Sequence, residues 1–355
     1  MGHTPLLNPS QFRDLVSGRR RGITAAALRG GLRLAETPYA WAVRWRNRRY
    51  DNGAAKTHRV GVPVLSVGNL TLGGTGKTPM IEWLARWFRK RGVRVVIISR
   101  GYGAESGARN DEALELEQKL PDVPHLQDPD RVAAARVAVE ELDCQLILLD
   151  DAFQHRRIGR DLDIVLLDAL EPFGFDHVFP RGTLREPVAG LRRADVVALS
   201  RAEMLQPDQR EQIHRRIEQH APGAVSLEVS HVARALIGSN GQEAPLDSLA
   251  GRPVAAFCGI GNPAGFRHTL QTCSYQVAGF REFPDHHRYA RTDVESLQDW
   301  ASQLEAEAVV CTHKDLVKLG IDRIGGRPLW AVTVGLEILS AAEGLEAKLQ
   351  AFVPS

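Results

Sequence analysis

The chain has 355 residues, 43% hydrophobic and 25% charged, with a formal net charge of +2. That is long for one domain and ordinary for a globular protein, so two domains are expected and a disordered or fibrous chain is excluded. Its four cysteines (144, 258, 273 and 311) are scattered without a C-x-x-C pair, which argues against a disulfide framework or zinc site and for a reducing compartment. No secretory signal fills the first residues, and no run of 18 apolar residues could span a bilayer.

Charge is unevenly spread. Between Phe12 and Tyr50 lie ten arginines against Asp14 and Glu36, a local net of +8, so the remainder is mildly acidic. Residues 1–21 are polar and proline-capped. Residues 23–49 place apolar and arginine residues at helical spacing, with expected breaks at Gly30-Gly31 and Pro38. Aromatics opposite arginines suit an interfacial helix on anionic lipid, or equally a solvated basic helix packed on its own domain. A nucleic-acid patch finds no other support in the chain.

From Val62 the rhythm changes. PVLSVGNL predicts a buried strand, 78–91 an amphipathic helix, VRVVIISR (93–100) a second strand and 130–142 a helix. Three more apolar strands follow at QLILLDD (145–151), DIVLLDA (163–169) and ADVVALSR (194–201), then a helix over 207–221. Continuously apolar strands alternating with helices mean a mostly parallel α/β sheet covered on both faces. Beyond VSLEVSHV (225–232) come strands at 254–260, 275–283 and 308–315, with helices from Pro263 and Thr292. The expected organisation is an N-terminal basic segment (1–54), a nucleotide domain (55–230), a smaller α/β domain (231–328) and a tail (329–355) that packs back on the core.

The stretch LTLGGTGKTPMI (70–81) is a phosphate-binding loop whose usual first glycine is Thr71. A strand, a turn containing Gly73, Gly74, Thr75 and Gly76, then Lys77 and Thr78 at a helix start is what a phosphate cradle needs. Pro79 suits a first helical turn. Lys77 is expected on the β- and γ-phosphates, and Thr78 on Mg²⁺. LILLDD supplies Asp150 and Asp151 at a strand end, one expected to serve the metal and the other to orient neighbours, since adjacent strand residues point opposite ways. Such a loop serves kinases, motor ATPases and GTPase or metallochaperone switches alike. THKD (312–315) imitates a guanine-recognition segment, with histidine where asparagine is expected.

GNLTLGGTGKTP (68–79), SRGYG (99–103), DDAFQH (150–155), LREP (184–187), FPDHHRY (283–289) and THKDLVKL (312–319) together resemble the tetraacyldisaccharide 4′-kinases, from about Arg13 onward. Thr71 is typical of that family. The resemblance implies a P-loop NTPase-type core, a smaller second domain and an N-terminal membrane-associated helix matching 23–49. It implies transfer of the γ-phosphate of ATP, with Mg²⁺, to the 4′-hydroxyl of the lipid A disaccharide 1-phosphate precursor. The product is lipid IV-A, made by a peripheral protein at the cytoplasmic face of the inner membrane; nucleic acid is not an expected partner, and a monomer is.

It also implies an Asp–His base pair, mapped to Asp111 and His286, with His287 an adjacent alternative. The two fall in different expected domains, so that closure would complete the base and exclude water. Glu186 of LREP is implied near metal and substrate. Arg100, Tyr102, Gln154, His155 and Arg185 are implied on the acceptor, and Arg156 and Arg157 are weaker choices for its 1-phosphate. Asn110 and Ala152 stand where the family has glycine, and Arg181 and Thr183 where it has alanine and proline.

Overall fold

The computed structural model describes residues 9–101, 111–285 and 287–354. They form two compact units: one comprises residues up to Lys77, Arg131–Val229 and the chain from Ile338 on, the other the described parts of Thr78–Asp130 and Ser230–Glu337. In chain order the elements begin with α1 (Pro9–Val16), α2 (Ile23–Asp51), β1 (Val64–Asn69), α3 (Lys77–Arg89), β2 (Val95–Ser99), α4 (Asp111–Lys119) and β3 (His125–Gln127). Next come α5 (Arg131–Glu140), β4 (Leu146–Asp150), β5 (Leu162–Asp168), β6 (Val196–Ser200), α6 (Pro207–His220) and β7 (Val225–Ile237). The chain finishes with β8 (Glu243–Ala244), β9 (Pro253–Cys258), α7 (Pro263–Thr272), β10 (Gln276–Glu282), α8 (Arg291–Ser302), β11 (Ala308–Thr312), α9 (His313–Leu319), β12 (Arg323–Ile324), β13 (Arg327–Ile338) and α10 (Ala342–Gln350).

In the first unit the strands run parallel in the order β7-β6-β5-β1-β4. Every residue of β1, β4 and β6 is buried, as expected for a parallel sheet sandwiched between helices. One core cluster packs Phe153, Leu167, Leu191, Leu199 and Ile217 with Ala40 of α2. The carboxyl ends of β1, β4, β5 and β6 share one edge of this sheet, the place where open α/β sheets bind ligands.

In the second unit β10-β9-β11-β13 run parallel, with β12 antiparallel to β13. Strand alternation divides its core: β9 sends Val254, Ala256 and Cys258 to one face and Ala255 and Phe257 to the other.

The structure differs from the sequence reading in four places. First, α2 runs unbroken through Gly30-Gly31 and Pro38. Those residues cost roughly 1 kcal/mol per glycine and about 3 for an interior proline, but anchors hold the helix on both sides of the proline. The Glu36 carboxylate accepts from the Val178 N–H (2.8 Å), and Asn47 Nδ2 donates to Glu186 Oε2 (2.8 Å). Small residues (Ala25, Ala40, Val43) face inward, while Ile23, Leu34, Trp41 and Trp45 are exposed.

Second, residues 9–16 of the polar start form α1, with Leu15 and Val16 buried. Third, β11 ends at Thr312 rather than Asp315, because the Thr312 hydroxyl accepts from the Asp315 N–H and starts α9. Fourth, the division at 54, 230 and 328 misses that 78–130 clusters with the later unit. There α4, absent from the sequence reading, packs on α9. His313 Nε2 meets Gln118 Oε1 at 2.9 Å, and Lys119 Nζ binds Glu115 (2.9 Å), Glu82 (3.1 Å) and the Val334 carbonyl (3.4 Å). Among the described residues no helix is long and apolar enough to cross a membrane.

Candidate active site

The loop after β1 is built by its neighbours. Asn69, buried at the strand end, donates from Nδ2 to the carbonyls of Thr71 (2.8 Å) and Gly73 (3.3 Å). Thr71 forms an antiparallel bridge with Leu184, flanked by Arg185 N–H to Leu70 O (2.7 Å) and Leu72 N–H to Thr183 O (2.7 Å). Position 71 is therefore paired extended backbone, which threonine adopts without strain, and the missing glycine is not needed. Glycine is required further on, where Gly73 (φ +114°) and Gly76 (φ +88°) turn the chain left-handed. It is required too at Gly68, where a Cβ would lie 2.6 Å from Phe153 Cβ and push the DDAF segment off β1.

The loop's N–H groups from Gly73 to Gly76 have no backbone partner among the described residues. Lys77 opens α3 and Thr78 is its second residue. Successive free amides at a helix start, with a lysine, form an anion nest.

Asp151 is not a strand residue. It follows β4 in a left-handed turn (φ +49°), which swings its carboxylate toward Lys77 Nζ (3.6 Å) and Arg185 Nη1 (2.7 and 2.8 Å to the two oxygens). Burial pushes this carboxyl up, but the Lys77 and Arg185 charges outweigh it and hold the group down at about 2. Asp150, the last residue of β4, is buried. Arg131 of α5 donates to the carbonyls of Asp150 (3.4 Å) and Asp151 (3.2 Å), and its Nη1 lies 3.4 Å from His155 Nδ1.

Glu186 is wholly buried, with both oxygens engaged: Asn47 on one, and Gln154 Nε2 (3.1 Å) and Arg193 Nη2 (2.8 Å) on the other. Gln154 also donates to Asn69 O (2.9 Å), so α2, the DDAFQH turn and β1 are tied through one carboxylate. Arg156 is committed to the Asn47 carbonyl (2.9 Å) and Asp51 (2.8 Å), which leaves it structural work in place of the suggested phosphate contact. Arg157 is exposed.

The structure thus brings Lys77, Asp151 and Arg185 together, and joins Gln154 to Glu186. In the second unit, Arg100 is exposed just beyond β2 and Asp111 opens α4. Tyr102 and His286 lie outside the described residues. His287 is held by Asp293 (Nε2 to Oδ2, 3.0 Å) and packs against Phe283. Asp111 clusters with the described part of 230–337, contrary to the expected assignment of this segment to the first domain, because α4 packs on α9.

Two residues escaped the sequence reading. Arg201, after β6, donates from Nη2 to the Gly74 carbonyl (2.7 Å) and to Asp168 Oδ2 (2.8 Å) at the end of β5. The available signal was a charged residue closing each of two apolar strands, LLD and LSR.

A parallel α/β sheet carrying a lysine-bearing glycine loop at its carboxyl edge, with an aspartate turned onto that lysine, defines a P-loop phosphoryl-handling protein. The chain belongs to the tetraacyldisaccharide-1-P 4′-kinase family, whose model matches residues 29–354. A tetraacyldisaccharide 4′-kinase of Anaeromyxobacter sp. (strain K) is 41% identical over 95% of this chain and 94% of its own length. One from Geobacter sulfurreducens is 34% identical over 95% and 97%. The crystal structure of LpxK from Aquifex aeolicus in complex with ATP superposes with a TM-score of 0.74 at 31% identity, covering 92% of this chain and all of that one.

Proposed function

We propose that this protein transfers the γ-phosphate of ATP to the 4′-hydroxyl of a tetraacyldisaccharide 1-phosphate, giving lipid IV-A. The observation that carries the reading is the loop of 70–78, pinned by the LREP segment and aimed with Lys77 beside Asp151 and Arg185. Family membership and the ATP-bound relative support it.

Phosphoryl transfer demands mainly positioning and charge stabilisation. The loop amides and Lys77 grip the nucleotide's phosphates, while Asp151, itself braced by Arg185, holds Lys77 ready. Thr78 and Asp150 are assigned to Mg²⁺, which neutralises phosphate charge when bound. Asp151 is already occupied by its two cations, so it orients Lys77 rather than serving the metal. Among the described residues no three acidic, His or Cys groups form a metal cluster. That fits Mg²⁺, which takes few protein ligands and completes its shell with phosphates and water.

Asp111 and His286 are assigned as the base that accepts the sugar proton. A carboxylate partner would raise the histidine's basicity and fix its tautomer. Arg100, Tyr102, His155 and Arg185 are assigned to the acceptor, and Glu186, with Gln154, to positioning the loop.

The exposed Trp41 and Trp45, stacked with ring centroids 6.5 Å apart on an arginine-rich helix, support α2 as the contact with the cytoplasmic leaflet of the inner membrane. An acceptor with four acyl chains stays in the bilayer, so a monomeric, peripheral enzyme meets it there. Replacing Trp41 and Trp45 with serine should weaken sedimentation with anionic vesicles without lowering thermal stability. Unchanged sedimentation contradicts that role.

The test of the function is to incubate the protein with Mg²⁺, ATP or GTP, and the detergent-solubilised acylated disaccharide. A product heavier by one phosphate, with ATP consumed only when the disaccharide is present, is expected. Guanine-selective hydrolysis without the disaccharide overturns the reading.

A further inference from the structure

The pair Arg201–Asp168 touches the phosphate loop without belonging to its motif. Arg201 is nearly buried, and its backbone takes the left-handed region (φ 60°, ψ 34°) that non-glycine residues rarely occupy. Such strain persists where the surroundings over-determine it, commonly at functional sites. Here the turn carries the guanidinium back along the sheet edge to the Gly74 carbonyl, with Nη2 at 2.7 Å and Nη1 at 3.4 Å. Asp168 fixes the other side. Its Oδ2 accepts from Arg201 Nη2 (2.8 Å), and its Oδ1 accepts from the Leu170 N–H (3.1 Å). Strand pairing places Asp168 opposite Ser200, so both partners rise from the rigid ends of β5 and β6.

A trans peptide is planar, so its carbonyl and its N–H point in opposite directions. Among the described residues only Phe179–Pro180 is cis, so the 74–75 bond is trans. Holding the Gly74 carbonyl toward Arg201 therefore turns the Thr75 N–H the other way, with no backbone partner among the described residues. Gly74 has no side chain to resist rotation of this peptide on its N-terminal side, so an external contact is needed to fix its orientation. Thr75 itself is buried, and its Oγ1 has no partner among the described residues.

We propose that Arg201, steadied by Asp168, is a positioning residue that locks the 74–75 peptide so that the Thr75 N–H faces the nucleotide's β-phosphate. The inference rests on the assignment of 70–78 as the nucleotide loop. Because Asp168 and the Gly74 carbonyl take the Nη2 donors, which turns the guanidinium onto the loop, Arg201 acts on the phosphate through the loop and leaves the γ-phosphate to Lys77.

This separates from direct phosphate binding by comparing ADP with ATP. Calorimetric titration of each nucleotide, with Mg²⁺ and without glycolipid, is made on wild type, Arg201→Gln, Arg201→Lys, Asp168→Asn and Lys77→Ala. A charge-assisted hydrogen bond predicts that Arg201→Gln weakens ADP and ATP alike, by roughly tenfold. Arg201→Lys should recover part of this, because an ammonium can still reach a carbonyl. Asp168→Asn should weaken both nucleotides as well. In turnover, the KM for ATP should rise while kcat at saturating ATP holds.

A loss confined to ATP, unchanged affinity in Arg201→Gln, or tighter binding in Asp168→Asn would overturn the latch. If Arg201→Gln fails to fold, Asp168→Asn decides alone, since asparagine keeps the acceptor for Leu170. Lys77→Ala distinguishes the two failures: undiminished nucleotide affinity there sinks the loop assignment itself, whereas weakened binding there with unaltered Arg201 variants sinks only the latch.

Discussion

Asp151 and Asp315 follow the ends of buried parallel strands, β4 and β11, yet they have been put to opposite uses. Asp151 faces two cations, is 38% exposed at its side chain and has its carboxyl drawn down to about 2. Asp315 is wholly buried, and its hydrogen-bond donors among the described residues are neutral: the Gly259 N–H (3.1 Å to each oxygen), Tyr289 Oη (3.0 Å) and Thr312 Oγ1 (2.6 Å), with the Lys318 charge a lesser influence. Burial pushes its carboxyl up, and the hydrogen bonds only partly offset that. A carboxylate beside mobile charge orients chemistry, while one enclosed by neutral donors holds architecture. The same contrast disposes of THKD as a guanine-recognition segment. Its aspartate is spent on joining β9, α9 and the loop that carries Tyr289, and its histidine on Gln118.

The sharpest way to break the contrast lies on the first side. Lys77→Ala removes the cation that clamps the transferring phosphate, and kcat should fall roughly a thousandfold, measured by steady-state kinetics. Asp151→Asn leaves Lys77 and Arg185 unbalanced and misaimed. Turnover should drop roughly a hundredfold with little change in melting temperature. Asp315→Ala should do the reverse, lowering unfolding free energy by about 2 kcal/mol in urea titrations because buried donors lose their acceptor. Per folded molecule its turnover should stay near wild type.

The smallest effect is in pH dependence. An acid whose pKa is raised by folding contributes fully below its unfolded value, and that contribution fades as pH climbs through the folded value. The stability difference between wild type and Asp315→Asn should therefore shift against wild type as pH rises from about 4. A difference that is flat with pH would show that Asp315 is not under that burial stress.

Much of this was legible in the sequence because it is local. Unbroken apolar strands announce a parallel sheet, and glycines before Lys77 announce the loop. Tertiary context decided the rest. The continuity of α2 depends on Glu36 and Asn47 finding partners more than a hundred residues away. The turn at Asp151 depends on a left-handed φ that its sequence does not advertise. The resemblance implies Glu186 near metal and substrate, but its hydrogen-bond partners Asn47, Gln154 and Arg193 cannot be read from the LREP motif. Arg201 is one charged residue among many until β6 delivers it to Gly74. The pairing of α4 with α9, which draws residues 78–130 to the later unit, is likewise invisible to periodicity.

The most direct measurement follows labelled γ-phosphate from ATP onto the acylated disaccharide in wild type, Lys77→Ala and Asp315→Asn, at a temperature where all three are folded. Label should reach the disaccharide with wild type and Asp315→Asn and fail to do so with Lys77→Ala. Equal labelling by Lys77→Ala and wild type would contradict the assignment of this loop as the seat of phosphoryl transfer.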